Sequence, residues 1–68
     1  MLYKNVKELR KKNSWSQQKL AEKSNLSYNA ITKIEQNVAT HPTIQTIEKL
    51  ADAFNVSIDE LIGRQGKK

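Results

Sequence analysis

The sequence predicts an all-α fold, a compact bundle of five short helices carrying a helix-turn-helix. Three observations predict it. Apolar residues recur three or four positions apart, most clearly at Ile44, Ile47, Leu50, Ala51 and Phe54. No segment alternates apolar and polar residues with period two, so no strand is expected. Ser16, Ser27, Thr43 and Ser57 each stand just before a periodic run, where helix N-caps belong.

The elements follow in order. Val6 and Leu9 mark a first helix from about Leu2 to Lys12, broken at Asn13-Ser14-Trp15. Ser16 caps a second helix that turns Leu20 and Ala21 inward and ends near Lys23 or Ser24. Ser27 caps a third, from Tyr28 to about Gln36, with Ile31 and Ile34 as its inward pair. After a loop from Asn37 to Pro42, Thr43 caps the fourth helix. Ser57-Ile58-Asp59-Glu60 reads as a capping box opening a short fifth helix through Leu61-Ile62, which Gly63 ends. The expected core is Val6, Leu9, Trp15, Leu20, Ala21, Leu26, Ile31, Ile34, Ile44, Ile47, Leu50, Ala51, Phe54, Val56, Ile58 and Leu61.

Composition narrows the function. Sixty-eight residues make one domain, expected over 1–63, with a basic, disordered tail over 64–68. Without cysteine there is no disulfide or thiolate metal site, and one histidine cannot build a metal site alone. Neither an enzyme cleft nor a cofactor is expected at this size. No run of 18 apolar residues crosses a membrane and no secretory signal opens the chain, so a cytoplasmic, nucleoid-associated protein is the default. The net charge of +5 is unevenly placed: residues 1–34 carry +6, residues 35–63 carry −4, and the tail carries +3. One half is suited to a polyanion and the other is not.

Gln17 to Glu35 carries the function. It reads as helix, three-residue turn, helix. Ala21 sits where two crossing helices leave room only for a small side chain. Asn25 sits where the turn needs a positive φ, Leu26 plugs the turn, and Ile31 and Ile34 clamp the second helix to the first. These are the demands of a DNA-binding helix-turn-helix. From about Val6 to Ile62 the chain resembles the phage repressor and Cro type of helix-turn-helix regulator. The resemblance rests on Leu9-Arg10, Trp15-Ser16-Gln17, Leu20-Ala21, Leu26-Ser27, Ile31, Ile34-Glu35, Pro42-Thr43, Leu50-Ala51 and Val56 to Leu61. Ser14, Asn25, Asn37 and Asn55 occupy positions where that family usually has glycine.

The resemblance implies a role for each position. Ser27, Tyr28, Asn29, Thr32 and Lys33 would face base edges in the major groove, with Asn29 suited to adenine and Lys33 to guanine. Tyr28 and Thr32 would meet a thymine methyl or a phosphate. Gln17, Gln18, Lys19, Lys23 and Thr40 would contact phosphates, Gln17 through its side chain and the helix N-terminus. Arg10 and Glu35 would form a structural ion pair, the alternative for Arg10 being a phosphate contact. The implied function is sequence-specific binding of double-stranded DNA by a small prokaryotic or phage transcriptional regulator, a repressor by preference. The implied partner is a pseudo-palindromic operator bound by a homodimer, with Val56, Ile58, Leu61 and Ile62 as the interface.

Several of these residues carry a second reading. Trp15 could stack on a base, but its place between two helices favours the core. Lys4, Lys7, Lys11, Lys19 and Lys23 are a solvated face or a phosphate-facing edge, and His41 reads as plain surface. Ser16, Ser27 and Ser57 are caps, not nucleophiles, since one histidine cannot serve them as a base. One rival function is an antitoxin or anti-repressor that binds a partner protein, although the tail is short for a toxin-wrapping segment. The other is an RNA or membrane-surface binder, for which no apolar face is left over.

Overall fold

The computed structural model describes residues 2–39 and 41–63. Five helices follow one another: α1 (Leu2–Lys12), α2 (Gln17–Ser24), α3 (Tyr28–Glu35), α4 (Ile44–Phe54) and α5 (Ile58–Ile62). There is no strand among the described residues. Thr40 and the tail over 64–68 lie outside them.

Side-chain caps start four of these helices. Ser16, Ser27, Thr43 and Ser57 have extended backbones, and each side-chain oxygen accepts from the amide three residues on: Lys19 at 3.0 Å, Ala30 at 3.0 Å, Thr46 at 3.2 Å and Glu60 at 3.0 Å. Each bond satisfies one amide that the helix leaves without a carbonyl. At Ser57 this is the serine half of the expected capping box.

Left-handed residues stop the chain as consistently. Ser14, Asn25, Asn37 and Asn55 have φ of 60°, 60°, 61° and 59°. The residue after each donates to the carbonyl five positions back: Trp15 to Arg10 at 3.0 Å, Leu26 to Ala21 at 3.1 Å, Val38 to Lys33 at 2.9 Å and Val56 to Ala51 at 3.0 Å. This is the Schellman closure. Asparagine tolerates the conformation better than other side chains, and so few glycines suffice. Gly63 ends α5 at φ 80°, and a Cβ there would stand 3.2 Å from Asn5 Nδ2. That close approach exists because Asn5 Nδ2 donates to Leu61 O at 2.9 Å, so α1 caps the carbonyl end of α5.

The core is Val6, Leu20, Ala21, Ile31, Ile34, Ile47, Leu50, Ala51, Phe54 and Leu61. Leu9, Trp15, Leu26, Val56 and Ile58 pack against it half-buried. Trp15 stacks on Phe54, ring centroids 5.6 Å apart and planes 17° from parallel, which confirms its core role. Ile44 does not join the core and is 62% exposed. It is the first residue of α4, and the stripe becomes buried only from Ile47, one turn further on. α1 packs against α3, α4 and α5, while α2 packs against α3 and α4. That arrangement leaves one side of α3 uncovered, beside the start of α2.

Candidate nucleic-acid interface

α3 presents two unlike faces because its apolar residues are spaced for one side only. Ile31, Ile34 and Glu35 are buried, and Ser27 before it, Tyr28, Asn29 and Lys33 are exposed, with Thr32 half-buried. The helix starts from the Asn25-Leu26-Ser27 turn, whose left-handed Asn25 reverses the chain and whose Leu26 tucks under it. The five base-facing residues expected from the sequence therefore share one uncovered surface. Gln17, half-buried, and Gln18 and Lys19, exposed, open α2 beside it.

Glu35 decides how that surface is mounted. Its side chain is 1% exposed, an unusual place for a carboxylate. Arg10 grips it bidentately, Nε to Oε2 at 2.7 Å and Nη2 to Oε1 at 3.1 Å, and sends Nη1 to Trp15 O at 2.9 Å. This is the expected ion pair, and it ties α1 to the inner side of α3. Gln17 Nε2 completes the carboxylate at 3.1 Å, and Tyr28 Oη lies 3.3 Å from Gln17 Oε1. Every buried side-chain polar atom described has a partner.

The Gln17 link was not foreseen. A buried carboxylate has more lone pairs than one guanidinium fills, so a further donor near Glu35 was called for by chemistry. Its identity depends on how α2 crosses α3, which spacing does not reveal. Ser24 was missed as well: it is buried, and its Oγ donates to Leu20 O at 2.7 Å within α2.

The other expected site residues divide. Lys23 Nζ lies 5.9 Å from the centre of the Trp15 ring, a cation–π approach at the α1–α2 corner. Thr32 Oγ1 donates to Asn29 O at 2.9 Å, so its proton is engaged within α3. Leu61 cannot belong to an interface, because it is 0% exposed. Leu61 lies on the side of α5 that packs against α1 and α4, which close over it. Val56, Ile58 and Ile62 remain half-exposed on that end.

Beyond α3, an open groove of about 400 Å³ runs to the start of α4, with Asn29 and Lys33 on one side and Pro42, Thr43 and Thr46 on the other. Val38 and Ile44, 65% and 62% exposed, leave this segment apolar where cations are sparse. No cluster of His, Asp or Glu among the described residues is arranged to hold a metal. No described helix is long and apolar enough to cross a membrane.

A capped helix, a left-handed asparagine turn and a second helix held by a buried ion pair with its polar side outward define a helix-turn-helix domain of the Cro/C1 type. The chain belongs to the helix-turn-helix family HTH_3, which matches residues 6–61. It is 34% identical over 62 residues to the HTH-type transcriptional regulator SinR of Bacillus subtilis (strain 168), covering 91% of this chain and 56% of that protein. It is 38% identical over 68 residues to the control protein C.SmaI of Serratia marcescens, covering 100% of this chain and 80% of that one. A solved SinR protein/SinI protein complex matches with TM-score 0.86 at 34% identity, covering 91% of this chain and 60% of that chain. The chain therefore spans little more than half the length of SinR.

Proposed function

We propose that this domain binds double-stranded DNA sequence-specifically and regulates transcription, with α3 in the major groove. The observation that carries the reading is the uncovered polar face of α3, fixed from behind by Arg10 and Glu35. Asn29 and Lys33 read bases, and Ser27 and Thr32 support them at the helix edge. Gln18 and Lys19, with the backbone amide of Gln17, meet phosphates at the start of α2, where unpaired amides favour an anion; the Gln17 side chain is held by Glu35 and Tyr28. Lys23, and Thr40 outside the described residues, are further phosphate contacts on this reading. Glu35 is neutralised inside the fold, so the DNA face of α3 presents Lys33 and no anion. Steering falls to the cations of α1 and α2.

A homodimer on a pseudo-palindromic operator fits the symmetry of such sites, with Val56, Ile58 and Ile62 as its apolar contact. Exposed Asp52, Asp59 and Glu60 surround that patch and favour dimerisation on DNA over dimerisation in free solution. Repression by occupying the operator, in the cytoplasm, needs no cofactor. The similar SinR structure also contains SinI, which gives a partner protein a place as a second layer of control.

Titration of selected and random duplexes at several salt concentrations tests the reading. Selected sites are expected to bind at least about 10³-fold more tightly than random DNA. A smaller ratio would sink it. Asn29→Ala should relax sequence preference, whereas Lys19→Ala should weaken all sequences alike and flatten the salt dependence.

A further inference from the structure

Tyr28 ends a series of hydrogen bonds that begins at the buried ion pair, and chemistry sets the direction of every link. Arg10 has donors only and fills both oxygens of Glu35. Paired in this way, Glu35 accepts and does not donate. The contact from Gln17 to Glu35 Oε1, at 3.1 Å, must then come from the amide nitrogen. Turning the amide over would set its oxygen against a carboxylate oxygen at the same distance. The choice between amide N and O, ordinarily a matter of assignment, is forced here.

Gln17 Oε1 consequently faces the Tyr28 hydroxyl, 3.3 Å away. A carbonyl oxygen only accepts, so Tyr28 commits its single proton to Gln17. The bond is long for O–H···O, yet its sense depends on atom types and not on its strength. Tyr28 is 52% exposed, and all that its oxygen has left to offer a ligand is lone pairs.

We propose that Tyr28 is a specificity-determining residue that accepts a hydrogen bond from an exocyclic amine in the major groove, adenine N6 or cytosine N4. Gln17 acts as the positioning residue that imposes this sense. The inference rests on the DNA-binding reading above and deepens it. A hydroxyl with its proton uncommitted would pair with a donor or an acceptor and discriminate little. With the proton committed, it is mismatched to guanine O6, thymine O4 and phosphate oxygens, all acceptors. On this proposal Tyr28 reads a base and does not meet a phosphate. Every base pair places one such amine on one strand. The signature is therefore A or C, over G or T, on one strand at one position of the site.

Selection from a random-sequence duplex pool by the full chain, Tyr28→Phe and Gln17→Ala tests this. The unaltered chain should select A or C at one position. Tyr28→Phe keeps the ring and should lose that preference by about 3- to 10-fold while leaving other positions alone. Gln17→Ala returns the proton to Tyr28 and should let that position take any base. Replacing the selected adenine by purine, or the selected cytosine by 2-pyrimidinone, removes the amine. That should weaken the unaltered chain by the same factor and Tyr28→Phe not at all. A preference for G or T at the Tyr28-dependent position, or an A/C preference that survives Tyr28→Phe, overturns the proposal. Enriched sites with no position dependent on Tyr28 overturn it alone; no enrichment over the pool overturns the DNA-binding reading with it.

Discussion

Asn25-Leu26-Ser27 and Asn55-Val56-Ser57 are two copies of one turn. Each opens with asparagine at φ 60° or 59°, continues with a half-buried apolar residue that closes the preceding helix, and ends on a serine that caps the next at 3.0 Å. The helices that follow differ. α3 has eight residues, and its last, Glu35, reaches Arg10. α5 has five and stops at Ile62, before the position that would match Glu35. α3 turns out neutral and basic polar groups, while α5 carries Asp59 and Glu60 in its first turn. The turn alone therefore does not make a DNA-reading helix. Length, a tie to a distant helix and the chemistry of the outward side do.

The comparison breaks most sharply at Glu35. Glu35→Ala leaves Arg10 partly buried without its partner, and should cost about 3–5 kcal/mol in a urea unfolding curve. Arg10→Met with Glu35→Leu should recover most of that loss, and an additive double variant would refute the buried pair as the cause. The shared turn predicts equal effects next: Asn25→Ala and Asn55→Ala should each cost about 1–2 kcal/mol, with glycine in place of alanine restoring stability. Clearly unequal losses would mean the two turns are not equivalent. Ser27→Ala and Ser57→Ala should each cost about 1 kcal/mol through the lost cap. Smallest in stability are Lys33→Ala and Asp59→Ala, each within about 0.5 kcal/mol of the parent. Only Lys33→Ala should alter base preference, and a matching change from Asp59→Ala would place α5 on the DNA.

Local chemistry made most of the fold readable. Caps and left-handed residues act within a few positions, so Ser16, Ser27, Thr43 and Ser57, and Asn25, Asn37 and Asn55, marked the helix ends correctly. Periodicity said which residues share a side, but not how far the neighbouring helices extend, and Ile44 was misplaced for that reason. Leu61 was assigned both to the core and to an interface, and closure by other helices decides for the core. The bond from Asn5 to Leu61 spans 56 positions and has no local signature. At the site, the resemblance placed Arg10 with Glu35, but the bonds of Gln17 to Glu35 and Tyr28 appear only once α2 and α3 cross.

The stacked Trp15 has a practical consequence. It is the chain's one tryptophan, it lies on a ring of α4, a cation of α2 stands over it, and Arg10 of α1 holds its carbonyl. Three helices meet at a single fluorophore. Its emission, excited apart from the tyrosines, is a label-free optical gauge of whether that junction stays assembled when DNA is added.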